Sequence, residues 1–236
     1  MEQPFQVKFS NGNVAQTIKI HNTSDIIPSL LKIDLKIGVP TIVLIGGAAG
    51  LSDDELNQLH PFFVEILAPF MDSSAVNVID GGTDAGIMQL MGQARAEIDA
   101  TFPLVGVAAE GTITLPDDEK LNPKVASLEA HHTHFILVPG NDWGDESPWL
   151  DRVTTALSNE KPSATILING GEISRRDVAH SLAAHRPVIV FAGTGRLADE
   201  LASIKKHSSL IHTINITDPT NKIIHLLTHF LKGAKQ

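Results

Sequence analysis

The chain is expected to fold as an α/β protein, a doubly wound parallel sheet with a small N-terminal β-hairpin. Three observations predict this. Seven short runs from Thr41 onward are almost continuously apolar, as strands buried on both faces of a sheet must be. Stretches of helical spacing fill the gaps between them. Five of the runs end in glycine turns.

In order along the chain, Phe5–Phe9 and Ile18–Ile20 alternate apolar and polar residues around Asn11-Gly12, which predicts a hairpin with a type I′ turn. This ribbon is expected to precede the main sheet, followed by a short helix from Ser29 to Leu35. Residues 1–40 are thus read as an appendage of the same domain that residues 41–236 build. Strands are predicted at Thr41–Ile45, Ala75–Ile79, Leu104–Ala108, His134–Val138, Thr165–Ile168, Val188–Phe191 and Ile211–Ile216. Helices are predicted at Asp53–Met71, Asp84–Ile98, Pro148–Asn159, Ser174–His185, Leu197–Lys206 and Pro219–Leu231. Thr112–Ala130, rich in Asp, Glu, Lys and Pro, is the longest irregular piece and a candidate mobile cover.

With 236 residues, 42% hydrophobic and 19% charged, the chain can bury a sizeable core. It has no cysteine, which excludes disulfides, thiolate metal sites and a thiol nucleophile. A net charge of −9 argues against nucleic acid as a partner, and no apolar run is long enough to span a membrane. The first residues lack the basic and apolar regions of an export signal, so a cytoplasmic location is expected.

The chemistry is expected at the strand ends. Val76–Asp80 runs directly into Gly81-Gly82-Thr83-Asp84-Ala85-Gly86 and then into a helical pattern. Strand, glycine turn and helix in that order place backbone N–H groups at a helix N-terminus, which favours anions. The same device follows Ile45 (Gly46, Gly47), Val138 (Gly140, Asn141), Ile168 (Asn169, Gly170, Gly171) and Ala192 (Gly193, Thr194, Gly195). In a parallel sheet these turns share one edge, where ligands bind. Any single turn could be a plain connection; the repetition points to a phosphate-bearing ligand. Ser52 and Glu55 form a capping box that satisfies their own helix end. Arg152, Arg175, Arg176 and Arg196 follow strand-end turns and are candidate phosphate contacts, against the plain alternative of solvated ion pairs. Arg175 and Arg176, being adjacent, are not expected both to face inward. His131, His132 and His134 lack a third ligand at a recognisable spacing, so no metal is expected. Trp143 and Trp149 are core residues or a stacking surface for a base.

Asp80–Met88, His132–Val138, Asn169-Gly170-Gly171-Glu172 and Gly193–Asp199 occur in that order. Together they resemble the SLOG domain of the cytosolic N-terminal region of melastatin-type TRP channels and its free-standing prokaryotic relatives. The resemblance runs from Thr41 to Leu201. It implies a Rossmann-like fold that binds nucleotide-derived ligands, with ADP-ribose leading, and no channel pore. It also implies dimers, for which the helix Asp84–Ile98 offers Ile87, Leu90, Met91 and Ala94. The wider superfamily includes the Lonely-guy phosphoribohydrolases, whose P-G-G-x-G-T-x-x-E motif is partly echoed by Pro139–Glu146, with Asn141 and Trp143 as departures. The expected function is a cytosolic nucleotide-ligand sensor with no obligatory cofactor, acting through an unidentified effector protein. The alternatives are a hydrolase using Glu146 as acid/base with Arg95 or Arg152 holding the phosphate, and a structural subunit with a vestigial pocket.

Overall fold

The computed structural model describes residues 2–48, 50–116, 118, 125–205 and 208–231. Its strands are β1 (Phe5–Lys8), β2 (Val14–Lys19), β3 (Thr41–Gly46), β4 (Asn77–Asp80), β5 (Leu104–Ala109), β6 (Ile113–Thr114), β7 (Ala126–Ser127), β8 (His134–Val138), β9 (Ser163–Ile168), β10 (Val188–Ala192) and β11 (Ile211–Asn215). Its helices are α1 (Ile26–Lys32), α2 (Asp53–Phe62), α3 (Ala68–Ser74), α4 (Gly86–Glu97), α5 (Ser147–Ser158), α6 (Glu172–Ala183), α7 (Arg196–Ser203) and α8 (Thr220–Leu231). Each strand predicted from Thr41 onward is present, His134–Val138 with the same bounds and the others with ends shifted by at most two residues. The helix expected to reach Lys206 ends at Ser203, and Lys206 itself lies outside the described residues.

Nine strands form one sheet in the order β1-β2-β8-β5-β4-β3-β9-β10-β11, parallel at every pairing except β1 with β2. The hairpin is therefore not a ribbon ahead of the sheet. β2 lies parallel to β8, Gln16 opposite His134 and Lys19 opposite Leu137, and lengthens the sheet by two strands. Its turn also differs from the type I′ expected. Phe9 N–H donates to Asn13 O (2.9 Å), Gly12 N–H donates to Phe9 O (3.0 Å), and Gly12 has φ +89°. That is a three-residue loop with glycine in the left-handed position; type I′ would require positive φ at Asn11 as well. Asn11 instead uses its side-chain oxygen to accept Asn13 N–H at 3.0 Å.

Side chains alternate between two cores. Ile42 and Leu44, Ile166 and Ile168, Ile189 and Phe191 join one cluster with α2, α3, α4 and α8. Val43 and Ile45, Leu167, Val188 and Val190 join the other with α1, α5, α6 and α7. This is the period-two geometry of strands covered on both faces, and each such side chain contributes roughly 1.5–3 kcal/mol. The stripe proposed for dimer contacts belongs to the first core: Ile87, Met91 and Ala94 are fully buried and Leu90 is 3% exposed. An amphipathic helix beside a two-sided sheet turns its apolar face inward first.

The long helix expected over Asp53–Met71 is three pieces: α2, a π-helical stretch Phe63–Leu67, and α3. Pro61 and Pro69 bracket the stretch. Each removes an i→i−4 hydrogen bond, and the helix absorbs the loss by widening. The Ser52–Glu55 capping box is in place, Ser52 N–H donating to Glu55 Oε2 at 2.8 Å. Among the described residues no helix is long and apolar enough to cross a membrane.

Candidate functional site

Strand order reverses at β3. From it the chain adds β4, β5 and β8 on one side, then crosses over to add β9, β10 and β11 on the other. The carboxyl ends of β3 and β9 therefore flank a crevice, the place where ligands bind in open parallel sheets. A cavity of about 670 Å³ opens there, within the range of small-molecule sites.

One end of the cavity is built from turns. Gly46, Gly47 and Ala48 follow β3, Gly81, Thr83 and Ala85 follow β4, and Gly171, Glu172, Ile173 and Ser174 open α6. Arg196 stands exposed at the mouth with φ +50°. Its guanidinium crosses the start of α6, so that a Cβ on Gly171 would lie 2.5 Å from Nη2, and Nη1 lies 3.5 Å from Asn169 Oδ1. Gly86, at φ +55°, lets α4 begin against the first turn; a Cβ there would overlap the Gly47 carbonyl oxygen. Gly81 is different, since a side chain added there would meet nothing within 4 Å.

The other end is apolar and acidic. Ala108, Thr112, Val125, Ala126, Trp143 and Leu150 line it, with Glu146 and Asp177 as its carboxyls. Glu146 Oε2 accepts Gly144 N–H at 2.9 Å, and burial raises its pKa. Burial pushes Asp177 up to about 7, helped by the neighbouring Glu146 and opposed by Ser147 and Arg176. Ser147 Oγ is buried and makes no hydrogen bond of standard geometry, although it is the hydroxyl nearest in influence to Asp177.

Of the ligand contacts expected from the sequence, Gly46, Gly47, Gly81, Thr83, Gly171 and Arg196 line the cavity, as does Glu146, the acid/base of the hydrolase alternative. The others stand behind its wall or away from it. Asn169, Gly170 and Thr194 are buried and bonded to one another. The Gly193–Gly195 turn holds an anion of its own: Asp199 accepts Gly193 N–H (2.5 Å) and Gly195 N–H (3.1 Å). Asp145 likewise accepts Asn141 N–H (3.0 Å) and Asp142 N–H (3.1 Å) beside Gly140. Asp80 accepts Gly82 N–H at 2.7 Å, and Asp84 accepts from Gln89 Nε2 at 2.9 Å. Glycine spacing alone predicts donors for phosphate at these turns; a carboxylate two to six residues away takes them first.

Three of the four arginines depart from the expected placement. Arg152 lies exposed on α5 with its guanidinium 5.9 Å from the Trp149 ring centroid. Arg175 pairs with Glu200 (2.6 Å) and Glu172 (3.6 Å) at the surface. Arg176 is exposed beside Gly144 and acts on Glu146 and Asp177 only through its charge. Arg95 donates from Nε to Phe102 O (2.9 Å) at the far end of α4.

The histidines are anchored in the fold. His132 is buried between two carboxylates, with Nε2 2.8 Å from Asp80 Oδ1 and Nδ1 2.8 Å from Glu129 Oε2. Burial alone would discharge the ring, but Asp80 and Glu129 outweigh it and raise His132 to about 9. Glu129 also accepts His131 N–H (2.9 Å) and lies 2.6 Å from His131 Nδ1. His134, whose pKa burial lowers to about 4, bonds Ile33 O from Nε2 at 3.0 Å. This network shows that the end of the expected mobile cover is a fixed wall. Glu129 N–H donates to Gly82 O (2.9 Å) and Asp84 N–H to Ser127 O (2.8 Å). Residues 117 and 119–124 of that segment, like Ala49 of the first turn, lie outside the described residues. No cluster of three or more His, Asp or Glu side chains among the described residues has metal-holding geometry.

Asp177 is the site residue that the sequence reading missed. In the structure Ser174, Val178 and Ser181 mark the inward face of α6, and Asp177 is a charged residue beside them that lines the cavity.

Residues 39–229 match the family model described as SLOG in TRPM, prokaryote. The chain is 22% identical over 217 residues to the mouse transient receptor potential cation channel subfamily M member 2, covering 77% of this chain. It is 21% identical over 182 residues to the rat protein of that name. It spans 14% of the mouse channel and 12% of the rat channel. Among solved structures, TM1055 superposes with a TM-score of 0.55 at 18% identity, covering 80% of this chain and 98% of that one. The molybdenum cofactor carrier protein of Chlamydomonas reinhardtii gives 0.54 at 13% identity, covering 81% and 99%. At these identities the structural likeness speaks for the fold.

Proposed function

The chain belongs to the prokaryotic SLOG-in-TRPM family, and from that membership and the cavity at the β3/β9 crossover we propose that it binds a nucleotide-derived ligand. ADP-ribose and related nucleotides are the leading class, and a cytoplasmic sensor is the role that suits such binding. The observation carrying the reading is the polarity of the cavity. Its turn-built end, with the N-terminus of α6 and Arg196, suits a phosphate, and its apolar end beside Trp143 suits a base.

The experiment exploits Gly81. Its φ is not positive and a Cβ there meets nothing within 4 Å, so Gly81→Val is expected to fold and to project into the cavity. Thermal-shift screening with ADP-ribose, AMP and GMP is expected to stabilise the natural protein by about 2.7 kcal/mol at a hundredfold excess over Kd. Gly81→Val should keep the basal melting temperature and lose that shift. A natural protein that responds to none of these ligands removes the reading.

A second reading, hydrolysis of a nucleoside monophosphate, is favoured by one observation, the cavity-lining Glu146 with its raised pKa. Counted from Pro139, however, the glutamate of the hydrolase motif falls at Ser147. Arg95 and Arg152, the expected phosphate holders, are not among the residues lining the cavity.

A further inference from the structure

We propose that Glu146 and Asp177 act as one carboxyl pair that reads the nitrogen-rich edge of the ligand, selecting bases with an exocyclic amino group over their oxo counterparts. This rests on the nucleotide reading above and adds a determinant of which base is bound.

The two side chains reach the same end of the cavity from different elements, Glu146 from the N-cap of α5 and Asp177 from the second turn of α6. Glu146 is held in place because its Oε2 takes the Gly144 N–H. Asp177, half-buried, lines the cavity wall with Leu150 and Trp143. Behind it stands Ser147, 2% exposed, whose hydroxyl is a hydrogen-bonding neighbour of Asp177 and meets no other partner among the described residues. One hydroxyl does not use up a carboxyl's acceptor positions, and those that face a ligand-sized space are open to a donor.

Which donor follows from the pair's charge. Burial raises both carboxyls and Glu146 raises Asp177 further, so the pair resists full ionisation. Asp145 adds negative charge beside Glu146, Glu146 does so beside Asp177, and Arg176 on α6 opposes both, with Asp177 raised to about 7. The pair then offers mostly acceptor positions, with a donor only where a proton is retained. Adenine, guanine and cytosine present an exocyclic NH2 to such a surface. Hypoxanthine and uracil lack that NH2 and leave those acceptor positions without a donor. The phosphate remains at the opposite end, beside Arg196, so the two ends of the ligand are recognised independently.

The test is calorimetric titration with matched nucleotides differing at one amino position: AMP, GMP and IMP, then CMP and UMP. The natural protein is expected to bind AMP and GMP ten- to a hundredfold more tightly than IMP, and CMP more tightly than UMP by a similar ratio. That is the cost of losing a hydrogen bond to a charged group. Asp177→Asn and Glu146→Gln should each bring those ratios towards one. Arg196→Ala should weaken all five and keep the ratios. Asp177→Asn removes a carboxylate whose charging is penalised, so it is expected to melt higher than the natural protein, and loss of fold will not obscure the result. If the natural protein binds AMP and IMP alike, or if both carboxyl variants keep its ranking, the pair does not read the base, while the nucleotide reading stands. If none of the five binds, both fall.

Discussion

Asn169 and Thr194 tie together the ends of two neighbouring strands, β9 and β10. Asn169 N–H donates to Thr194 Oγ1 at 2.8 Å, and Asn169 Nδ2 donates to Thr194 O at 2.7 Å. Asn169 Oδ1 accepts Gly170 N–H at 2.9 Å and lies 3.5 Å from Arg196 Nη1. One buried side chain therefore holds two strand-end turns and lies against the cation at the cavity mouth.

Asn169 also has φ +58°, a conformation that asparagine tolerates better than alanine. Asn169→Ala is expected to destabilise the protein by about 2–4 kcal/mol, from lost hydrogen bonds and backbone strain together. Asn169→Gly, which loses the same bonds without the strain, should recover about 1 kcal/mol of that in urea unfolding. Equal stability of the two variants would show that the backbone is not strained there.

His132 links stability to alkaline pH. Its folded pKa of about 9 lies above its ordinary value of 6.5. A raised pKa means that the protonated ring is stabilised by folding. The contribution is complete below 6.5 and is lost as pH rises through 9. Urea midpoints should fall between pH 7 and 10 in the natural protein. His132→Ala leaves Asp80 and Glu129 buried without the cation between them, at a cost of about 3–5 kcal/mol at pH 7. Its alkaline slope should be much flatter, and an unchanged slope would assign the titration elsewhere.

Arg196 and Arg152 separate ligand contact from surface charge. Arg196→Ala is expected to weaken ADP-ribose or AMP binding by roughly ten- to a hundredfold in calorimetry. Arg152→Ala removes an exposed cation–π contact with Trp149, worth about 0.5–1 kcal/mol of local stability, and should leave affinity within about twofold. Comparable losses in both variants would move the ligand off the β3/β9 crevice.

Incubation with AMP, GMP, CMP and UMP is expected to give no steady release of free base by chromatography. The N–H groups of Asn141 and Asp142, in the turn that echoes the hydrolase motif, are already taken by Asp145. Oxyanion and phosphate stabilisation depend on donors held within a fraction of an ångström. Turnover that disappears in Glu146→Ala would establish the hydrolase reading.

The sheet was legible because burial on both faces writes itself as continuous apolar runs, as Thr41–Ile45 and Val188–Phe191 show. The hairpin's place was not: its alternation says only that one face is wet, and its parallel pairing with β8 depends on a partner about 120 residues away in sequence, as with Gln16 and His134. Glycine turns located the edge where the cavity opens. They did not reveal which turns were already occupied, because Asp199 and Asp145 read equally well as helix-opening acids and as caps. Asp177 went unnoticed because a carboxylate inside a helix looks like surface charge until the element facing it is known.

The carboxylates seated in the glycine turns also restrict the electrical character of an incoming ligand. Asp145 and Asp199 lie in turns at the same strand-end edge, and Glu172, Glu146 and Asp177 line the cavity, opposed by Arg196 at its mouth. A triphosphate carries its charge into that acidic surround and meets repulsion along most of its length. A ligand whose phosphates are few, or esterified at both ends, carries less charge past those acids and could place what remains beside Arg196. If the cavity takes a nucleotide, this edge is expected to disfavour highly charged ligands whatever their base.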